Sequence, residues 1–234
     1  MKATVSRNEL LAALLFASTD ESRYTLNGVC IELRPMNKPT IVATDGRRLV
    51  VIETVAEQTE ESSGTHRILM RADFAKPLCA LCKALGGKLF PWIDIENKAG
   101  SARVSTRIVG AECYIEAEKN GLIEGEFPEW RKVLPPRNKA KREPISDVAM
   151  NAGFMADFAK AAKILEAPGP IMQMSLAGKE QQIEVKIPGL DGFYGLIMQC
   201  KLDESLEYQP EFVQIVKGLP VREAPAEPDT DVEN

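Results

Sequence analysis

The sequence predicts an α+β protein assembled from repeated strand-helix-strand units. Three observations carry that expectation. The same order of elements, a strand, a helix and then a run of strands, recurs with a period of about 65 to 75 residues, and such self-similarity reveals architecture. Each helical stretch opens on a capping residue: Ser6 with Glu9, then Asp73, then Asn151. Asp45-Gly46 sits between two apolar runs, the pattern of a tight hairpin turn.

The first unit covers residues 1 to 57. Lys2 to Val5 reads as a short strand and Ser6-Arg7-Asn8-Glu9 as a capping box opening a helix through Ala17. Strands follow near Tyr24 to Leu33, Thr40 to Thr44 and Arg48 to Val55. After the polar, acidic stretch Glu57 to Gly64, the second unit begins with a strand at Arg67 to Met70. Its helix is expected to start near Asp73, because Pro77 is tolerated only in a first turn, and to stop at Gly86-Gly87. Strands near Trp92 to Glu96, Ser101 to Thr106 and Glu112 to Glu118 complete it.

The third unit begins near Ile145, with Asp147 to Met150 as its strand and Asn151 capping a helix through Leu165. Ala167-Pro168-Gly169-Pro170 breaks that helix. Strands are expected at Ile171 to Leu176, Gln182 to Ile187 and Gly195 to Leu202. A short segment, Phe212 to Leu219, is apolar enough to pack. From Val221 onward Glu, Asp, Pro and Ala dominate, which predicts disorder.

Composition narrows the class. With 234 residues, 44% hydrophobic and 27% charged, the chain reads as a soluble globular protein with a sizeable core. Its apolar runs, such as Leu10 to Phe16, are too short to span a bilayer, and no secretory signal is visible, so a cytoplasmic location is expected. The net charge of −5 argues against a general nucleic-acid binder, although a locally basic surface is compatible with it. Five cysteines without a signal read as reduced thiols. Cys79 and Cys82 form a C-x-x-C within a helical stretch. A zinc site needs about two further nitrogen or sulfur ligands. His66 is the one histidine, and Cys30, Cys113 and Cys200 fall on separate strands. Core packing is the better reading of the pair, and neither a metal nor another cofactor is expected.

Two runs in the first unit carry a more specific signal: Arg23-Tyr24-Thr25-Leu26-Asn27-Gly28-Val29 and Val42-Ala43-Thr44-Asp45-Gly46-Arg47-Arg48-Leu49. A third is Gly125-Glu126-Phe127-Pro128-Glu129-Trp130-Arg131-Lys132-Val133-Leu134-Pro135. In this order and spacing they resemble the middle domain of the bacterial sliding clamp, the beta subunit of DNA polymerase III. The end of the third unit, Leu196-Ile197-Met198-Gln199-Cys200-Lys201-Leu202, resembles the closing half of that clamp's last domain. Together the matches span residues 1 to 202.

The resemblance implies a DNA clamp fold, with antiparallel sheets outside and helices inside. Residues 1–136 would form a complete clamp-like domain of two half-units, and 137–144 a basic linker. Residues 145–202 would form a third half-unit, followed by a C-terminal extension, 203–234. The opening half of the last domain is missing, which leaves an unpaired half-sheet. Pairing the third unit with its copy in another chain would cover it. Counting three units per chain against the twelve of a ring gives a homo-oligomer of about four chains, a tetramer.

The resemblance also implies a pocket for short hydrophobic peptides. The matching positions are Leu26, Thr44, Gly46, Arg47, Arg48 and Leu49, then Pro128, Lys132 and Val133, then Leu196 and Met198. Apolar and Met walls suit leucine or phenylalanine anchors, and Arg or Lys at the rim suits a polar terminus. Taken singly, each position is better explained as strand core or turn; taken as a set, their order favours the pocket. Arg47 stands where the family commonly has histidine, and Gln199 and Cys200 where it favours proline and methionine. DNA contacts of the family come from inner helices, where the candidates are Arg7, Lys76, Lys83, Lys160 and Lys163. Such contacts would be to phosphate, sequence-independent and salt-sensitive.

The implied function is a sliding clamp or processivity factor, tethering a DNA polymerase, and accepting a clamp loader, on duplex DNA. The alternative is a shortened relative that keeps the peptide pocket without encircling DNA, an adaptor or regulator of replication proteins. Catalysis is not expected: Asp45 beside Arg47 and Arg48, or Cys79 with His66, supplies no nucleophile, base and orienting group at recognisable spacing.

Overall fold

Ser6 opens the first helix by the reciprocal bonds its sequence predicts. Its Oγ accepts from the Asn8 N–H, and Glu9 Oε2 accepts from the Ser6 N–H at 3.0 Å. Strand β1 (Lys2–Ser6) therefore passes directly into α1 (Arg7–Leu14). In the computed structural model the described residues are 2–35, 37–54, 64–84, 92–98, 101–108, 111–117, 121–135, 148–176, 178 and 181–201. The chain divides into Met1–Cys200 and Lys201–Asn234, and every element described here lies in the first. The basic linker, Gly86-Gly87, the Phe212 to Leu219 segment and the tail fall outside the described residues.

Helix α1 ends at Leu14, short of the predicted Ala17. Leu15 and Phe16 donate to Ala12 and Ala13, a tightening of the last turn to i−3 bonds that closes the helix early. The strand expected from Tyr24 starts only at Gly28. Residues 21–26 instead form a 3₁₀ helix, because Asp20 Oδ1 accepts from both the N–H and the hydroxyl of Ser22 and nucleates a turn. Strands β2 (Gly28–Leu33), β3 (Thr40–Thr44) and β4 (Arg48–Glu53) follow as an antiparallel meander.

Strand β5 (His66–Arg71) leads into α2 (Ala72–Ala84). The helix begins one residue before the predicted cap. Asp73 lies inside it and pairs with Arg71 (Nε–Oδ1 2.9 Å), so Pro77 falls in the second turn rather than the first. Strands β6 (Trp92–Lys98), β7 (Ser101–Ile108) and β8 (Ala111–Ala117) form the second meander. Asn151 caps α3 (Ala152–Ile164) as predicted, its side chain accepting from Gly153 N–H at 2.8 Å. The strand expected over Asp147 to Met150 is absent at 148–150, where no neighbouring strand of the described chain offers a ladder. Strands β9 (Gln173–Leu176), β10 (Gln182–Lys186) and β11 (Phe193–Met198) complete the order.

Two sheets result, ordered β1-β6-β7-β8 and β5-β2-β3-β4-β11-β10-β9. The first two units exchange their opening strands. Strand β1 leaves its own unit to pair with β6, with Ala3 opposite Ile95, while β5 pairs with β2, with Met70 opposite Val29. The third unit joins the first edge to edge through β11 and β4, with Leu196 opposite Leu49. The unpaired half-sheet expected of this chain is thus covered on its β11 side, and among the described residues its outer edge is β9.

Strand alternation sorts the long sheet into two faces. Ile31, Ile41, Val50, Ile52, Phe193 and Ile197 join the core with Leu10 and Leu14 of α1 and Phe158 of α3. The Phe158 ring meets Phe16 at 4.7 Å and Phe193 at 6.1 Å, both edge to face. A side chain at Gly195 would place its Cβ 2.2 Å from the Phe158 ring, so glycine is what lets α3 lie this close to β11.

Candidate functional site

The β3–β4 turn separates the two faces of the sheet. Thr44 Oγ1 accepts from Gly46 N–H and donates to the Arg48 carbonyl at 2.6 Å, while Asp45 Oδ1 accepts from the N–H groups of Arg47 and Arg48. Gly46 has φ of +85°, a left-handed conformation that favours glycine. With the turn fixed, successive residues point to opposite sides: Arg48 toward the helices, Leu49 away from them.

On the face away from the helices, Thr44, Leu49 and Leu196 lie side by side across β3, β4 and β11. Leu26, Leu49 and Leu196 are buried in one cluster with Cys30, Val42, Leu69, Phe127 and Trp130. The segment 121–135 crosses this face, held by Phe127 and by Trp130, the first residue of a 3₁₀ helix ending at Val133. Pro128 and Lys132 are exposed on that segment, and Val133 is 47% exposed. Met198, at the end of β11, is 40% exposed, and its N–H donates to the Arg47 carbonyl at 2.8 Å. Gly46 and Arg47 are exposed at the turn. Of the sequence-predicted pocket residues, then, Leu26, Leu49 and Leu196 are buried together in one apolar cluster, Thr44 lies beside Leu49, and Pro128, Lys132, Val133, Met198, Gly46 and Arg47 are accessible.

Arg48 does not join that surface. Its Nε donates to Asp45 Oδ2 at 2.9 Å, Nη1 to Asp157 Oδ2 at 2.5 Å and Nη2 to the Leu15 carbonyl at 2.9 Å. Its guanidinium also lies over the rings of Phe16 and Phe154. With a side chain 9% exposed, Arg48 fastens the turn, the end of α1 and α3 together. Burial would raise the Asp157 carboxyl, but hydrogen bonds and charge from Lys160 and Arg48 hold it below the usual aspartate value.

A second charged cluster fixes the crossing segment. Glu32 is fully buried in β2 and receives three arginines: Arg34 Nε at 2.7 Å, Arg67 Nε at 3.0 Å, and Arg131 through both terminal nitrogens. Glu129 completes it by accepting from Arg67 Nη2 at 2.9 Å. The Arg131 guanidinium stacks 4.0 Å from the Trp130 ring. Sequence reasoning missed this cluster, although a glutamate inside the apolar run Val29-Cys30-Ile31-Glu32-Leu33 was its signal. Burial pushes the neighbouring Cys30 thiol up to about 12, opposed by the charge of Arg67 and aided by Glu32 and Glu129.

On the helix side the sequence-predicted DNA residues divide. Arg7 donates from Nε to the Cys79 carbonyl at 2.8 Å and from Nη1 to Asn8, so it ties α1 to α2. Lys160 pairs with Asp157 at 2.8 Å. Lys76, Lys83 and Lys163 are exposed. A groove of about 1540 Å³ beside the end of α1 is lined by Arg23, Tyr24, Arg47, Arg71 and Lys76, with Asp20 and Asp73 among its acids. Arg23 and Tyr24, not among the predicted contacts, are exposed at its rim.

Cys79 is buried in the core beside Ala75 and Leu78, whereas the Cys82 side chain lies outside the described residues. Among the described residues no group of three or more His, Cys, Asp or Glu could hold a metal ion. No described helix is long and apolar enough to cross a membrane.

These features define the sliding-clamp class of fold. The chain is similar to the DNA polymerase III beta subunit of Thermotoga maritima (TM-score 0.61, 16% identity), covering 87% of this chain and 66% of that one. It is similar to the sliding clamp of Pseudomonas aeruginosa (TM-score 0.64, 14% identity), covering 86% of this chain and 66% of that one. The beta sliding clamp of C. crescentus gives 0.62 and 17%, over 86% and 65%. The chain thus spans slightly less than two thirds of the length of these clamps. The sequence matches no family model and no curated protein.

Proposed function

We propose that this chain is a clamp-type tether, without catalytic activity of its own, that docks short hydrophobic peptides of DNA-acting proteins beside the β4–β11 joint. The observation that supports the reading is the apolar cluster of Leu26, Leu49 and Leu196 beneath the crossing segment, with exposed Met198 two residues beyond Leu196 on β11 and its N–H bonded to the Arg47 carbonyl. Apolar anchors would seat on the leucines and Met198, and the exposed cations Arg47 and Lys132 would orient an acidic or polar peptide end. Polymerase and clamp-loader segments are the partners that the fold suggests. Lys76, Lys83 and Lys163 are the cations available to duplex phosphate, with Arg7 and Lys160 already engaged.

The experiment is fluorescence polarisation with a labelled peptide carrying leucine and phenylalanine anchors, together with retention on closed circular DNA before and after linearisation. Peptide binding with topology-dependent retention supports a ring-forming processivity factor. Peptide binding without such retention supports the adaptor reading, which the internal commitments of Arg7 and Lys160 favour. Absence of both overturns the proposal.

A further inference from the structure

The third unit is built like the second and, among the described residues, lacks the second's partner. The second unit ends by folding back on its own opening strand: Ile123 N–H donates to the Leu69 carbonyl at 2.9 Å, and Leu122 bridges Met70. The third ends alike, with Cys200 N–H donating to the Ala149 carbonyl at 2.8 Å. Leu69 precedes the first residue of α2 by three positions, and Ala149 precedes the first residue of α3 by three. Residues 148–150 therefore occupy the place of β5.

The other edge of β5 pairs with β2. Residues 148–150 have no such strand among the described residues. Strand β9, first of the three strands after its helix as β2 is, pairs among the described residues only with β10, and its outer edge has no described partner. Around that edge Ile171 is 64% exposed, Met174 40% and Leu176 37%. Met174 and Leu176 stand opposite Val185 and Ile183, which belong to the helix-side core, so both face the helix side, and no described helix lies over them. In the first unit the corresponding place is covered by α2. The segment 136–147 is twelve residues long, too short for an intervening strand, helix and three strands.

We propose that a second copy of this chain fills both gaps at once. Residues 148–150 of each copy pair with β9 of the other, and each α3 covers the other copy's Met174 and Leu176. Reciprocal exchange of opening strands already joins the first two units through β1 and β5, and the same exchange between two third units closes a two-fold interface. The two gaps are complementary halves of one exchange, so a single unit of this kind satisfies both. The outward face of α3 carries Ala152, Ala156 and Ala159, all exposed, which permits a second helix to approach closely.

The test is the absolute mass of the full chain by sedimentation equilibrium and light scattering across a dilution series, with hydrogen exchange on the same samples. An even-numbered assembly is expected. The variant M174K/L176K should halve its mass while keeping the far-ultraviolet circular dichroism and the peptide affinity, so that a failure of the interface is distinguishable from a failure of peptide docking. In the wild type, the β9 amides should lose protection on dilution before those of β3 do. A monomer at every concentration overturns the interface, as does an assembly whose mass the double substitution leaves unchanged. A monomer with protected β9 amides overturns it too.

Discussion

Arg48 and Asp157 are 109 residues apart in the sequence and meet at 2.5 Å in the fold. The contact joins the β3–β4 turn to α3 with little exposure on either side, so removing one partner strands a charge. Arg48→Ala should cost about 3 kcal/mol of stability, in the range for breaking a buried ion pair. Asp157→Asn keeps a hydrogen-bond acceptor and should cost about 1.5 kcal/mol. Urea denaturation of the two single variants and the double variant measures both costs and their coupling.

The same aspartate predicts an acid dependence. Its folded pKa lies below the unfolded value of about 3.9, so the pair contributes fully above that value and is lost as pH falls through the folded pKa. Wild-type stability should drop below about pH 4, and Asp157→Asn should flatten part of that drop. Thermal melts between neutral and acid pH give the slopes. Equal slopes for the two proteins would remove Asp157 from the account.

Glu32 gathers Arg34, Arg67 and Arg131 at full burial, and its removal leaves three guanidinium groups facing one another. Glu32→Ala should destabilise by about 3 to 5 kcal/mol. Because Arg131 and Trp130 sit on the crossing segment, Arg131→Ala should loosen that segment before the sheet unfolds. Protease cleavage within 121–135, mapped by mass spectrometry under native conditions, is the readout.

Thiol chemistry separates the cysteines by environment. Cys30 is buried with its pKa pushed up to about 12, whereas Cys200 is exposed. At pH 8 a maleimide should modify Cys200 quickly and Cys30 only after unfolding. The raised pKa also means that the Cys30 contribution to stability is complete below the unfolded thiol value of about 8.5 and declines as pH rises toward 12. Peptide mapping of the labelled protein tests the order of reaction.

Met198 is exposed at the end of β11, two residues past the buried Leu196, so its truncation leaves the apolar cluster intact. Met198→Ala should weaken binding of a leucine- and phenylalanine-anchored peptide about tenfold, or 1.4 kcal/mol, at unchanged stability. Lys132→Ala should have a smaller effect that disappears at high salt. Peptide titrations at two ionic strengths distinguish the two contributions.

Local signals in the sequence were legible where one side chain decides the outcome. Ser6 with Glu9, and Asn151 with Gly153, cap their helices as read, and Asp45-Gly46 makes its turn. Asp20 was not recognised as the nucleus of a 3₁₀ turn, so the strand at Tyr24 was placed too early. The exchange of β1 and β5 was invisible, because each pairs with a strand many residues away and nothing local specifies a distant partner. At the candidate site, Leu26, Leu49 and Leu196 were legible as a set through their order. Arg48 was grouped with the pocket positions by its place beside Leu49, whereas strand alternation turns its side chain to Asp157 and the Leu15 carbonyl. Glu32 was overlooked because its arginines come from three separate segments.

Exchange of opening strands has a consequence for how such chains can change in evolution. The first unit lends β1 and receives β5, and if the third units exchange in the same way, units become interchangeable neighbours irrespective of whether the same gene encodes both. Loss of one unit between residues 135 and 148 would then leave a gap of the shape that an identical unit fills. Ancestral deletion would alter the number of subunits in the assembly while leaving the remaining units foldable, turning a mutation of chain length into a change of stoichiometry.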